Sequence, residues 1–176
     1  LNAELLSTIV NDVLRLSEIE SSPMPVHPQV VNLQTLCSAT VEAMRHRVAH
    51  GVDLRLDTSA GRVDLFTDPA RVQQILNNLL TNSAKFTSKG SITLGYSEEP
   101  DGSAVKFWVC DTGIGINPEN REKIFDRFVK LDRDSQGAGL GLTISRLIAR
   151  RLGGDLILDT TYKGPGSRFV LTLPKN

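Results

Sequence analysis

Apolar residues recur along this chain with two different periods, and these periods predict its helices and strands. Over residues 1–20 the apolar positions are spaced alternately by three and four, as in a short a/d helical seam. The seam consists of Leu6, Ile9, Val13 and Leu16. About two heptads leave two interpretations open, a coiled coil and an amphipathic helix that lies on its own domain. Residues 21–25, rich in serine and proline, then end the helix and begin a short extended linker.

The rest of the chain alternates between helical and extended patterns. Helices are predicted at 33–49, after the capping signal Asp68-Pro69, and from Leu140 to Gly153. Strands are predicted at 53–57, 91–97, 104–110, 157–159 and 169–173. The turn at 100–102 joins two of these strands as a hairpin, which disfavours an all-parallel doubly wound sheet. Strands interleaved with three helices predict an α/β fold, a two-layer sandwich of a mixed sheet packed on three helices.

Composition describes an ordinary globular domain that needs no disulfide or metal to fold. The chain has 176 residues, 40% hydrophobic and 23% charged, which predicts one domain at about 150 residues per domain. Its 20 basic and 20 acidic residues leave no net charge, so we expect no nucleic-acid partner and no direct membrane contact. Cys37 and Cys110 have no CxxC spacing, and no apolar run reaches about 18 residues. These features fit a reducing, cytoplasmic setting.

The helix after Asp68 carries a polar stripe opposite its apolar face. Asn78 and Asn82 are one turn apart on this stripe, and Lys85 follows three residues later. Asparagine is a weak helix former, so each asparagine here costs about half a kcal/mol of helix stability. A carboxamide oxygen is a neutral hard ligand suited to Mg²⁺, and a lysine beside it can bind phosphate. On this helix alone, a solvated polar face explains the stripe at least as well.

Two glycine-containing segments add to this signal. The strand at 104–110 runs into DTGIGI at 111–116, where Asp111 can accept a hydrogen bond from an adenine amine between flanking isoleucines. GAGLGL at 137–142 opens the last helix, where free amides and the helix dipole favour an anion. The second segment lacks GK[ST], has GxGxG spacing and follows no strand, which excludes a Walker A loop and a Rossmann fingerprint. Taken singly, either segment could be an ordinary turn or linker.

Together and in this order, the motifs resemble the catalytic, ATP-binding domain of two-component sensor histidine kinases, a GHKL-type domain. The family's asparagine box matches 75–87, its phenylalanine box 124–128, and its two glycine boxes 111–116 and 137–142. Its closing strand is similar to 164–169. The resemblance implies a Bergerat-type fold. It also implies two parts, with 1–22 as the end of the dimerisation and phosphoacceptor helix and 23–176 as the catalytic domain.

The resemblance also implies a role for each matching residue. Asn82 would bind Mg²⁺, and Asn78 and Lys85 would act as catalytic residues beside the phosphates of ATP. Asp111 would hold the adenine. The remaining ATP contacts would come from Gly113, Gly115, Ile116, Phe128, Lys130, Gly137, Gly139, Leu140, Gly141, Leu142 and Ser167. Residues 126–138 would form a lid packed by Phe125 and Phe128, and Ala138 stands where the family more often has threonine.

The phosphoacceptor is the part of the family's machinery that this sequence does not supply. Sensor kinases modify a histidine typically followed by an acidic residue, whereas His27, His46 and His50 precede proline, arginine and glycine. Because the pattern begins within a helix, we expect a fragment whose acceptor lies upstream of Leu1. The expected partners are a histidine-bearing dimerisation domain, within a homodimeric parent that is membrane-anchored or not, and a response-regulator receiver domain.

An ATP hydrolase of the same broad fold, as in type II topoisomerases, mismatch-repair ATPases and heat-shock chaperones, is the alternative. Those ATPases place a water-activating glutamate one turn before the metal-binding asparagine. That position is Asn78 here, and a carboxamide has no basic lone pair to take a proton at neutral pH. Transfer to an external nucleophile is therefore favoured, and a non-catalytic nucleotide-binding scaffold is the third possibility.

Overall fold

The structure of the chain, a computed structural model, describes residues 3–21, 24–129 and 139–175. Its α-helices are α1 (Ala3–Ser21), α2 (Leu33–Met44), α3 (Pro69–Phe86) and α4 (Gly141–Arg151). Its strands are β1 (Gln29–Asn32), β2 (Val52–Asp57), β3 (Asp64–Thr67), β4 (Gly90–Glu98), β5 (Ala104–Asp111), β6 (Asp155–Leu158) and β7 (Ser167–Pro174). Short 3₁₀ turns lie at Arg45–Arg47 and Pro118–Asn120.

Five strands form one mixed sheet in the order β2-β4-β5-β7-β6. The β2–β4 pair is parallel, and the other three neighbouring pairs are antiparallel. Helices α2, α3 and α4 contact this sheet. The predicted two-layer α/β sandwich is therefore confirmed, and so is the predicted hairpin, since β4 and β5 pair with Tyr96 opposite Phe107.

The core lies between the sheet and its helices. One row of side chains crosses four strands and is fully buried, namely Tyr96, Phe107, Leu171 and Leu156. The apolar face of α3 packs over the sheet with Ile75, Leu76, Leu79 and Leu80, each at most 1% exposed. Burial of one such aliphatic or aromatic side chain is worth about 1.5–3 kcal/mol. This burial determines which face of α3 points inward, and so which face carries its polar stripe.

A second, two-stranded sheet was not predicted from the sequence. β1 and β3 pair antiparallel, with Val31 opposite Leu65. The sheet ends beside Asp68, whose carboxylate accepts hydrogen bonds from the amides of His27 (2.9 Å) and Arg71 (3.1 Å). Burial raises the pKa of Asp68, but the backbone hydrogen bonds together outweigh burial and lower it. One carboxylate thus caps α3 and holds the end of the linker that precedes β1.

Other boundaries differ from the prediction for local reasons. The helix expected over 33–49 ends at Met44, and a 3₁₀ turn follows it. The strand expected at 157–159 starts earlier, at Asp155, because Gly153 in the left-handed region (φ +85°) ends α4 at once. Arg146 on α4 is half-buried and paired with Asp155.

Helix α1 contacts the domain through its C-terminal half. Leu16 is 5% exposed, and α1 contacts α4. The other described apolar side chains of α1 are exposed, namely Leu6, Val10, Val13 and Leu14. The side chain of Ile9, which the seam also includes, lies outside the described residues. None of the described helices is both long and apolar enough to cross a membrane.

We expect Leu76→Ala to lower the free energy of unfolding by about 2–5 kcal/mol, because it leaves a cavity in a fully buried contact. Urea denaturation followed by circular dichroism would measure the change. Leu6→Ala is the matched control, since Leu6 is 62% exposed and should change stability by less than about 0.5 kcal/mol. Equal losses for both variants would contradict this description of the core.

Candidate nucleotide site

Three parts of the fold bring the predicted site residues together. They are the polar stripe of α3, the end of β5 with the loop at 111–116, and the first turn of α4. A hydrogen bond between Ser83 and Asp111 joins α3 to β5, and one between Asn78 and Ser145 joins α3 to α4. The asparagine box and both glycine boxes therefore meet around one helix.

Asp111 lies at the end of β5 and is buried, with 3% exposure. Its Oδ1 accepts hydrogen bonds from the amides of Gly113 (3.0 Å) and Ser167 (3.3 Å). Its Oδ2 accepts from the hydroxyls of Ser83 (3.3 Å) and Ser167 (3.0 Å). A buried carboxylate is costly unless its oxygens are hydrogen-bonded, and here donors from α3, the loop and β7 meet that need.

Glycines let the backbone pass close to Asp111. A Cβ at Gly166, which has φ +78°, would overlap the Asp111 carbonyl oxygen. A Cβ at Gly113 would overlap the Phe86 carbonyl oxygen at the end of α3. Gly115 also faces Gly166, so the loop at 111–116 packs directly on the turn before β7. Gly113 and Gly115 of the first glycine box therefore allow the loop to pack closely on the chain's own backbone.

The environment of the loop contains spare hydrogen-bonding capacity. Thr87 Oγ1 is buried beside Gly113 and has no hydrogen-bond partner among the described residues. Buried polar atoms are rarely left unpaired in native proteins, so this hydroxyl can take a further hydrogen bond. Ile116 packs against the core, whereas Ile114 is 78% exposed and is in place to cover a ligand only from the rim.

The two asparagines on the polar stripe of α3, Asn78 and Asn82, have different environments. Asn78 Nδ2 donates to Ser145 Oγ at 2.9 Å, and its Oδ1 lies so close to Gly141 that a Cβ there would overlap it. Asn82, one turn later, is half-buried and has no hydrogen bond from its side chain to another described residue. Its carboxamide is thus available to a ligand. Lys85 is exposed on the same side of the helix, with Nζ 5.3 Å from the Phe86 ring centroid.

The first turn of α4 has no side-chain cap among the described residues. Leu140 occupies the N-cap position and makes no capping hydrogen bond, whereas α2 and α3 are capped by Asn32 and Asp68. The amides that open α4 are therefore available for an anion. Leu140 is fully buried and Leu142 packs on the core, so their side chains anchor the helix and only their backbone can face a ligand.

The phenylalanine box differs from the prediction in one respect. Phe125 and Phe128 were both expected to pack the adjoining segment. Phe125 does pack, edge-on against Phe169 at 6.3 Å between ring centroids. Phe128 is 60% exposed, because its backbone adopts a left-handed φ of +62° that turns the side chain outward, and its amide donates to the Gly139 carbonyl. Lys130, Gly137 and Ala138 lie outside the described residues.

Sequence reasoning missed Ser83 and Ser145, the hydroxyls that bond Asp111 and Asn78. Ser83 falls on the buried stripe of α3, one turn after Leu79, and Ser145 is 2% exposed on α4. A hydroxyl at an apolar position of a helix is the one signal that could have identified them, because a buried hydroxyl needs a partner.

Comparison with known proteins identifies the family. The sequence model described as "Histidine kinase-, DNA gyrase B-, and HSP90-like ATPase" matches residues 67–176, and the chain belongs to this family. The circadian input-output histidine kinase CikA of Synechococcus elongatus is 35% identical over 182 residues, covering 99% of this chain and 24% of that protein. The sensor protein TorS of Escherichia coli is 36% identical over 178 residues, covering 98% of this chain and 19% of that protein.

Solved structures agree with this assignment. Full-length ShkA in complex with AMPPNP has a TM-score of 0.86 and 33% identity, covering 96% of this chain and 35% of that chain. Histidine kinase ThkA in complex with response regulator protein TrrA has a TM-score of 0.76 and 25% identity, covering 97% and 47%. The resemblance to the ATP-binding domain of sensor histidine kinases is confirmed. The chain spans about a fifth to a quarter of the length of these two curated relatives.

Gly166→Ala should destabilise the domain and abolish nucleotide binding, since the new Cβ would push the Asp111 backbone away. Gly61→Ala is the matched control, because Gly61 also has a left-handed φ of +66° but nothing lies within 4 Å of its Cβ position. Gly61→Ala should therefore cost only the backbone strain, about 1–2 kcal/mol. Urea unfolding and calorimetric ATP titration would compare the variants, and equal effects would argue against close packing at Gly166.

Proposed function

We propose that this chain is the ATP-binding catalytic domain of a sensor histidine kinase. It binds Mg·ATP and donates the γ-phosphoryl group to a histidine of a dimerisation domain in the same parent protein. The observation that carries the proposal is the meeting of three features around α3. These are a buried, hydrogen-bonded carboxylate at Asp111, an available carboxamide at Asn82, and the uncapped first turn of α4.

The adenine end of the site is built around Asp111. The carboxylate would accept a hydrogen bond from the exocyclic amine of adenine, with the backbone of Gly113 and Gly115 beside the ring and Ile116 behind it. Ser83 and Ser167 reach Asp111 through hydroxyl groups, which can rotate to donate elsewhere when an amine arrives. The unpaired Thr87 hydroxyl offers a further hydrogen-bonding group at this end.

The phosphate end combines backbone amides with two side chains of α3. Amides of Gly139, Leu140, Gly141 and Leu142 would cradle the phosphates, and Lys85 would add a cation. Asn82 would hold Mg²⁺, which neutralises phosphate charge during transfer. The donor set fits this ion. A carboxamide oxygen is a neutral hard ligand, and Mg²⁺ in kinase sites takes few protein ligands besides phosphates and waters.

Transfer is favoured over hydrolysis by the group beside the phosphates. Asn78 cannot accept a proton at neutral pH, and its amide already bonds Ser145. The chain's own histidines also do not lie where a phosphoacceptor would need to be. The His27 amide bonds Asp68 at the start of α3, and Asn82 lies about 20 Å further along that helix. His46 and His50 are exposed after the end of α2. The acceptor imidazole would therefore come from the dimerisation domain.

We further propose a response-regulator receiver domain as the downstream partner of the parent protein. The solved structure of ThkA, 25% identical to this chain, is a complex with a response regulator protein. The proposal also includes a homodimeric parent and a division of the chain at residue 22. The end of α1 at Ser21, one residue before this boundary, supports the division.

Asp111→Asn should weaken ATP binding more than binding of a purine nucleoside triphosphate that lacks the exocyclic amine. The carboxylate bonds that amine, and a charge-assisted hydrogen bond is worth about 1.5–3 kcal/mol, or roughly tenfold to a hundredfold in affinity. Calorimetric titration with both nucleotides would measure the difference. Asp101→Asn, in the exposed β4–β5 turn, is the control and should change neither affinity. Equal losses for the two nucleotides would refute the adenine assignment.

This chain should bind Mg·ATP without turning it over. At a hundredfold excess over Kd, Mg·ATP should add about 2.7 kcal/mol of stability. The melting temperature should then rise by about 5–11 °C, at about 2–4 °C per kcal/mol. Asn82→Ala should remove most of the Mg²⁺-dependent part of this rise. Asn11→Ala, on the exposed side of α1, should not.

The fate of labelled γ-phosphate tests the reaction itself. The label should stay on the nucleotide when the chain is incubated alone, and it should move to protein when a histidine-bearing helix pair is supplied. The product should be acid-labile, as a phosphoramidate is. Rapid release of free phosphate by the chain alone would instead support the hydrolase. The absence of any thermal shift with adenine nucleotides would contradict both the kinase and the hydrolase.

A further inference from the structure

Helix α4 holds Phe125 by two contacts that the proposed ATP-binding groups do not explain. The buried Thr143 hydroxyl donates to the Phe125 carbonyl oxygen at 2.8 Å. The Arg146 guanidinium lies 4.8 Å from the centroid of the Phe125 ring. The same ring packs edge-on against Phe169. The backbone and the ring of Phe125 are thus both tied to the domain.

The Arg146 side chain that contacts Phe125 is held in position by Asp155 of the sheet. Arg146 Nε and Nη2 donate to the two carboxylate oxygens of Asp155 at 2.9 and 3.0 Å. A bidentate pair fixes the plane of the guanidinium. Hydrogen bonding to Arg146 lowers the pKa of Asp155 to about 2, so the pair stays charged at neutral pH. Arg150 bonds the same carboxylate at 3.3 Å, but no ring contact of its guanidinium is found among the described residues.

The turn that follows Phe125 returns to the start of α4. The Phe128 amide donates to the Gly139 carbonyl oxygen at 3.1 Å. A Cβ at Gly139 would come within 3 Å of the Phe128 backbone, so the two segments touch directly. Thr143 therefore closes a loop of contacts. It bonds Phe125, the turn leads to Phe128, Phe128 bonds Gly139, and Gly139 leads into the first turn of α4.

We propose that Thr143 is a positioning residue of the phosphate end of the site. Its hydroxyl bonds the backbone of Phe125 and so holds the turn at 125–128. That turn contacts Gly139 and thereby sets the position of the backbone at 139–141. This inference rests on the proposed function, in which that backbone binds the phosphates. Thr143 would act through Phe125 and Gly139 without touching the nucleotide.

A positioning role for Thr143 predicts a different effect on ligand binding from a role in core packing alone. A residue that only stabilises α4 would affect every ligand of the site equally. A residue that positions 139–141 affects ligands with a phosphate chain and spares those held by the adenine end. Mg·ATP and AMP are the two probes, because both carry adenine and only ATP carries β- and γ-phosphates.

The test compares Thr143→Val, which keeps the shape and removes the hydroxyl, with Thr143→Ser, which restores it. Thr143→Val should weaken Mg·ATP binding about threefold to tenfold, the effect of one lost hydrogen bond. AMP binding, measured by competition against a fluorescent adenine nucleotide, should change by less than twofold. Thr143→Ser should bind both as the unmodified chain does. Equal weakening of ATP and AMP, or no weakening of ATP, would overturn the proposal.

A second pair of variants tests the route through Phe125. Arg146→Gln removes the cation from the Phe125 ring and should weaken Mg·ATP in the same direction as Thr143→Val. Arg150→Gln removes a bond to the same Asp155 and should leave Mg·ATP binding unchanged. Equal losses for both would overturn the route through Phe125. Failure of the unmodified chain to bind Mg·ATP at all would instead refute the proposed function, before any variant is made.

Discussion

A buried carboxylate is the constraint around which this domain is organised. Asp111 ends the central strand β5 at 3% exposure, and its cost is offset by four hydrogen bonds. Those bonds can form only if α3 lies close enough for Ser83 to reach and β7 is in register for Ser167. The glycines that flank the carboxylate follow from the same need, because a Cβ at Gly166 would occupy the space that the packing requires.

The two ends of the proposed site use different chemistry. The adenine end consists of side chains around Asp111, and so depends on the packing of β5, β7 and α3. The phosphate end consists mainly of backbone, and depends on where α4 begins. Asn78 of α3 bonds Ser145 of α4, so a shift of α4 would also move the polar stripe of α3. Recognition of the base and of the phosphates is thus coupled through α3, the helix that contributes to both ends.

Helix α4 also contacts neighbouring segments of the fold, in addition to providing the proposed phosphate-binding amides at its N-terminus. Its successive residues face three directions: Gly141 and Ser145 toward α3, Thr143 toward Phe125, and Arg146 toward both Phe125 and β6. The polar contacts of this 11-residue helix hold the proposed phosphate-binding turn in position. Positioning of this kind contributes to phosphoryl transfer, where orientation and charge neutralisation account for most of the rate.

The sequence by itself determined the elements whose signals are local. The period of α3, its Asp68 cap, the β4–β5 hairpin and the four boxes each lie in contiguous residues, and they sufficed to predict the fold class and the family. The tertiary structure alone decided the β1–β3 pair, because two strands of four residues carry little periodicity and pair across more than thirty residues of chain. It also decided the partners of Asp111 and Asn78 and the inward turn of Arg146. A hydroxyl or a guanidinium has many possible partners in a sequence, and only packing brings one of them within hydrogen-bonding distance.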